Sequence, residues 1–146
     1  MFNLGFDKQA ENTDTHWTYF PSKDINFYRA GYYSNILGSD RLSMYIEIGY
    51  KERDEINIEE QLALTIENLK KLGIITDHNL ISHNTLIINP GYVHITKESI
   101  EKVDSLKKKL AEKDIYTIGR YGSWTYCSIE DCMIEAMELA KKNDTE

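Results

Sequence analysis

The chain has 146 residues, enough to bury one hydrophobic core without disulfides or metals as staples. Its 41% hydrophobic and 28% charged content is that of an ordinary globular protein, and no apolar run approaches the roughly 20 residues of a membrane-spanning helix. The net charge of −7, with basic residues scattered or in short pieces such as Lys107-Lys108-Lys109, argues against a surface that tracks nucleic-acid phosphates.

Residues 1–7 lack the basic and long apolar regions of an export signal, so the expectation is a cytoplasmic protein. Residues 16–20, His-Trp-Thr-Tyr-Phe, are rich in strand formers and stop at Pro21, while residues 25–30 alternate apolar and polar positions. Together they read as a hairpin around residues 21–24. Trp17, Tyr19, Phe27 and Tyr28 then serve as cross-strand packing, and Arg29 reads as an exposed strand arginine. In residues 42–50, Leu42, Met44, Ile46 and Ile48 share one face, the pattern of a half-buried strand.

Helical spacing follows. Asn57 and Glu60 stand as cap and reciprocal partner, with Ile58, Leu62, Ile66, Leu69 and Leu72 on one stripe before Gly73. A strand is expected around residues 85–88. Thr96 caps a second helix with Ile100, Val103, Leu106 and Leu110 on its buried side and the lysines near Lys107 on a solvated face. Residues 115–118 read as a short buried strand. Ser128 opens a last helix whose apolar positions are Ile129, Cys132, Met133, Ala136, Met137 and Ala140, and whose acidic first turn, Glu130 and Asp131, suits the helix dipole.

Cys127 and Cys132 fit neither a C-x-x-C redox pair nor a zinc knuckle and read as reduced packing residues. The four histidines form no helical pair or carboxylate cluster, so no metal is expected. With no repeat, linker or low-complexity tract, residues 1–146 read as a single segment. Its class is α+β: a mostly antiparallel sheet with three helices and a C-terminal strand-turn-helix.

That last element carries the chemistry. Gly119 and Gly122 let a ligand approach the backbone, Arg120 offers a planar fork of donors, and the helix start at Ser128 supplies N–H groups with a favourable dipole. Trp124 and Tyr126 would wall a flat ligand. A Gly-Arg turn before a helix also serves as plain architecture, and both readings stand.

Residues 119–133, Gly-Arg-Tyr-Gly-Ser-Trp-Thr-Tyr-Cys-Ser-Ile-Glu-Asp-Cys-Met, resemble the C-terminal signature of FAD-dependent amine-oxidoreductase-like proteins, particularly the UDP-galactopyranose mutase-like branch associated with surface-polysaccharide synthesis. Residues 16–21, 27–29 and 45–48 and the Tyr92 segment occur in the same order as in that group. The resemblance implies that Arg120 contacts the FAD pyrophosphate or ribitol, and that the first turn after Ser128 offers donors to the flavin O2 edge. Gly119, Gly122, Tyr126, Ser128 and Ile129 complete the cofactor side; Arg29, Tyr92, Tyr121 and Trp124 fall on the substrate side, facing a sugar nucleotide or small amine.

Two departures qualify the resemblance. The G-x-G-x-x-G turn that holds the ADP half of FAD is absent. The final helix carries Glu135-Ala136-Met137 where related proteins have small glycine-rich positions. The expectation is therefore a C-terminal flavoprotein segment, inactive alone and binding FAD weakly or not at all, with a missing N-terminal half or a second copy as partner. The alternative is a stand-alone α+β binding or assembly module.

Overall fold

Phe2, Leu4 and Phe6 alternate with Asn3 and Gly5, and this period of two builds β1 (Phe2–Phe6), a strand not anticipated above. It occupies the interior of a five-stranded antiparallel sheet ordered β2-β3-β4-β1-β5, with β2 (Trp17–Tyr19), β3 (Arg29–Tyr32), β4 (Ser43–Glu47) and β5 (Leu80–Thr85). The computed structural model describes residues 1–51 and 55–143. Its α+β class is the expected one. The chain divides into two compact units, Met1–Ile88 and Asn89–Glu146, at a point that no change in composition marks.

The register assigns the two sheet faces opposite tasks. One row runs Thr18, Ala30, Ile46, Phe2, Thr85, and the next on the same face runs Tyr32, Met44, Leu4, His83. Ala30, Met44 and Ile46 are fully buried here and Phe2 and Leu4 nearly so. The covering layer is α2 (Ile58–Lys71), whose Leu69 is buried and whose Ile58, Leu62 and Ile66 pack against the same core. Asn57 caps it by accepting from the Glu60 N–H, as expected. Leu72, expected on the buried stripe, lies beyond the helix and is exposed.

Polar groups inside this layer are paired, as burial requires. The Asn26 side chain donates to Thr65 Oγ1 at 3.0 Å and accepts from Asn68 Nδ2 at 2.9 Å, tying the loop before β3 to the inner face of α2. His78 stands edge-on to Phe6, accepting from the Thr76 N–H and bonding the Gln9 carbonyl through Nε2. It is a packing residue.

The expected hairpin forms, with Trp17 opposite Gly31 and Tyr19 opposite Arg29, but its second strand starts at Arg29 and not at Ile25. Phe27 instead turns into the core, edge-on to Phe20 at 5.0 Å. A one-turn helix, α1 (Tyr33–Leu37), follows β3 and ends on Gly38 in the left-handed region. The strand expected at residues 85–88 lies earlier, at β5. Its ladder partner β1 begins at Phe2, opposite Thr85; Leu86 still exchanges main-chain hydrogen bonds with Met1, at 2.9 and 2.8 Å, and there the chain of β1 ends, leaving Ile87 and Ile88 exposed.

The second unit is helical: α3 (Lys97–Ala111), α4 (Gly119–Gly122) and α5 (Ile129–Asn143). Residues 115–118 form no strand. All five strands of the sheet belong to the first unit, so the β-formers Ile115 and Ile118 find no ladder and are exposed. Thr96 and Ser99 close a reciprocal capping box on α3. The helices' expected buried stripes are covered only in part: Val103 and Leu110 on α3 and Cys132 on α5 are half-buried, but Ile100 and Leu106 on α3 and Ile129, Met133 and Met137 on α5 are exposed. On α5 the covered face runs from the expected Cys132 through Glu135 and Leu139, which were not expected there. Of the expected long helices all three are present, joined by the short α1 and α4.

Candidate functional site

In the second unit the chain from Ile118 to Ser128 takes one helical turn, α4, before α5 begins. Gly119 has φ +79°, open to glycine and strained for other residues. At Gly122 a Cβ would meet the Thr117 backbone carbon at 3.2 Å, so this glycine answers to close approach within the chain. Trp124 takes φ +49°, uncommon for a bulky residue, and is anchored there by its Nε1, which donates to the His94 carbonyl at 3.0 Å.

Arg120 is the centre of an aromatic cluster. Its guanidinium lies 4.8 Å from the Tyr126 ring centroid and 5.9 Å from that of Tyr92. Its Nε and Nη2 both donate to the Cys127 carbonyl, at 3.2 and 2.6 Å, fixing the residue just before the α5 cap. Tyr121 and Trp124 stand edge to face at 6.5 Å, and the Tyr121 hydroxyl reaches the Gly91 carbonyl. All the sequence-derived site residues but Arg29 lie in this unit, and there Tyr92, Tyr126 and Arg120 contact one another while Tyr121 pairs with Trp124.

Ser128 is the N-cap of α5 in a reciprocal arrangement: the Asp131 N–H donates to Ser128 Oγ at 3.1 Å, and the Ser128 N–H donates to Asp131 Oδ2 at 2.8 Å. The Ser128 N–H, then the Ser128 hydroxyl, which donates to the same Oδ2 at 2.7 Å, hold the Asp131 carboxyl below the usual carboxylate range. Ile129, next in line, is 82% exposed, so its contribution to a ligand would come from its backbone.

Glu135, not among the expected site residues, holds the α4 turn. Its Oε1 accepts from the Ser123 hydroxyl at 2.6 Å and its Oε2 from the Gly119 N–H at 2.7 Å, and these two bonds, in that order, lower its pKa. Lys107 donates to Ser123 Oγ at 2.9 Å and lies 3.7 Å from the same carboxylate. Lys107 is therefore a link between α3 and the α4 turn, while Lys108 and Lys109 are exposed as expected. The available signal was spacing: Glu135 is three residues from Cys132 and four from Leu139, on the inward face of α5.

Arg29 belongs to the first unit, on the sheet face opposite the core. There the rows read Trp17, Gly31, Tyr45, Asn3, Asn84 and Tyr19, Arg29, Glu47. Arg29 is not a solvated strand arginine: it is half-buried, ion-paired with Glu47 and bonded to the Tyr19 hydroxyl. Burial opposes its charge, yet Glu47 and Tyr19 hold its pKa above the ordinary arginine value. The Tyr45 ring lies across Gly31, where a Cβ would come within 2.1 Å of it. Trp17 and Tyr19 leave more than half of their surfaces open on this face. Among the described residues no group of His, Cys, Asp and Glu gathers as metal ligands, and no helix is long and apolar enough to cross a membrane.

The architecture defines an α+β piece: an antiparallel sheet with an aromatic outer face, followed by a helical segment with an arginine-centred cluster at a helix start. A crystal structure of reduced UDP-galactopyranose mutase shares this fold with a TM-score of 0.71 and 21% identity, matching 86% of this chain and 28% of the mutase chain. The chain thus spans well under a third of the protein it matches. No protein-family model matches the chain.

Proposed function

We propose that this chain is the substrate-side and flavin-closing segment of a UDP-galactopyranose mutase-like flavoprotein, of the amine-oxidoreductase-like kind linked to surface-polysaccharide or lipopolysaccharide synthesis. The observation that carries the reading is the fold likeness over 86% of the chain, falling on only 28% of a mutase. The motif resemblance at residues 119–133 supports it independently. The second unit adds a third support. Among its described residues Val93 alone is buried, while Ile129, Met133 and Met137 line one exposed side of α5. An apolar stripe of this kind marks a surface that another polypeptide covers.

The residues fit a flavin in chemical character. A guanidinium between two phenol rings suits an electron-rich ring or a pyrophosphate, and the first turn of the 15-residue helix α5 offers N–H donors at its positive end. Arg120 would act there largely through its charge, because two of its donors already hold the Cys127 carbonyl. Asp131 caps the same turn and offsets part of the field that an anionic flavin edge would meet. When bound, FAD supplies the redox or nucleophilic chemistry, while the chain orients the ring and shields it. Arg29, Tyr92, Tyr121 and Trp124 stand on the substrate side of this reading.

The experiment is a reconstitution. The purified chain is titrated with FAD, alone and with the polypeptide from any adjacent reading frame that encodes a strand, G-x-G-x-x-G and helix. Alone, it is expected to stay colourless and inactive; with that partner, a yellow complex is expected. Stoichiometric flavin on the isolated chain would refute the fragment reading. A neighbouring frame without the fingerprint, with no flavin bound under either condition, would favour a stand-alone α+β binding module using the aromatic sheet face.

A further inference from the structure

The geometry points to an oxidative modification site at Cys127 and Cys132: a dithiol that a low-molecular-weight disulfide converts to an intramolecular disulfide. Both are free thiols, partly accessible, and their Sγ atoms lie 3.4 Å apart. A disulfide needs about 2.0 Å, so the sulfurs close by a movement smaller than a bond length. Cys127 lies in the loop before α5 and Cys132 in its first turn, so the bond would staple the loop to the helix across the Ser128 cap.

The surroundings make this pair more than a neighbourly contact. The Cys127 carbonyl is the acceptor for both Arg120 donors, so the main chain carrying one thiol is already held. Cys132 Sγ lies against Gly119, and the next covered residue of its helix face, Glu135, grips the Gly119 N–H. Both thiols are therefore positioned by contacts that do not involve the other sulfur. The hydrogen bond to Cys132, then burial, pushes the Cys127 thiol up, which lowers its thiolate fraction, while the 3.4 Å separation makes Cys132 its nearest thiol partner.

The step balances as thiol-disulfide exchange. One protein thiol gives up its proton and attacks a sulfur of the small disulfide, such as oxidised glutathione, expelling one glutathione thiolate. The second protein thiol then loses its proton and attacks the protein sulfur of that mixed disulfide, expelling the second. Two electrons leave the protein pair, and the two glutathione thiolates take up the two protons to become thiols. Nothing in this step uses a flavin or a missing partner, so the proposal stands or falls apart from the function proposed above.

The test equilibrates the full chain in mixtures of oxidised and reduced glutathione, quenches with acid, alkylates and digests with trypsin. Both cysteines fall on one fragment, residues 121–141, which contains no internal lysine or arginine. The expected product is that fragment lighter by two hydrogens and resistant to alkylation. Cys127→Ser and Cys132→Ser should each instead carry one glutathione. Closure in the native chain should be favoured over closure in concentrated urea by at least about tenfold, equivalent to about 30 mV for this two-electron couple. Glutathione adducts persisting on both cysteines of the unmodified sequence, disulfide-linked dimers, or equal closure in urea would each overturn the proposal.

Discussion

Replacing Glu47 with alanine removes the carboxylate that pairs with Arg29 and accepts from the Tyr28 hydroxyl. The Arg29 guanidinium would keep the Tyr19 hydroxyl and the Tyr19 and Tyr45 rings, each 5.7 Å from it. Breaking an exposed pair costs about 0–1 kcal/mol and breaking a fully buried one about 3–5 kcal/mol. With the side chains 25% and 15% exposed, the pair lies toward the buried limit but remains screened in part. The expected loss is about 2 kcal/mol. Replacing both residues by leucine should cost less than the single change, within about 1 kcal/mol, since no charge is then left unpaired. Urea unfolding measures this best with Trp124→Phe as the common background, because the chain has two tryptophans and Trp17 then reports the sheet unit alone. A Glu47→Ala loss below about 0.5 kcal/mol, or a double variant as unstable as the single, would refute the idea that the pair's partial burial sets its energetics.

Ile46→Ala, in the middle of β4 and fully buried, should lower the stability of the sheet unit by about 3 kcal/mol in the same assay. Glu135 has a pKa depressed by Ser123 and Gly119, so its contribution is present above the unfolded-state carboxylate value and is lost as pH falls through the lower folded value. Thermal melts between about pH 6 and 3 should therefore show a falling midpoint that Glu135→Gln makes shallower; parallel curves would show that the carboxylate contributes nothing. The Ile129, Met133 and Met137 stripe should make the isolated chain self-associate, as light scattering after size exclusion would report. Met133→Lys with Met137→Lys should shift it toward monomer, and a strictly monomeric parent chain would count against the covered-surface reading.

Local rules written in the chain settled much of this protein. Alternation at residues 42–48, the Asn57, Thr96 and Ser128 caps and the turn at Pro21 each depend on nearest neighbours, so they are legible without a fold. Arg120 and its near neighbours Tyr121, Trp124 and Tyr126 stand out as a chemically distinctive group within seven residues of chain, whereas the approach of Tyr92 to Arg120 came only with the fold. Alternation in residues 2–6 was there to be read, but it is only five residues long and gave no sign of lying between β4 and β5.

Tertiary structure decided the rest, and always through a partner distant in sequence. Residues 85–88 and 115–118 have strand composition, yet a strand extends only as far as another backbone presents a ladder: β5 ends at Thr85 because β1 begins opposite it at Phe2, with only Met1 beyond to meet Leu86, and residues 115–118 belong to no strand of the sheet. The helical periodicity of α5 identifies an apolar stripe but not whether anything lies against it; here Cys132, Glu135 and Leu139 face inward and the stripe remains open. Arg29 is an ordinary strand arginine until β4 sets Glu47 beside it, and Glu135 is an ordinary helix glutamate until α4 delivers Gly119 and Ser123. Sequence determines which groups each element carries, because propensity and capping act over a few residues. Only the fold determines which of them meet, because the energies of pairing and burial belong to neighbours that chain order does not reveal.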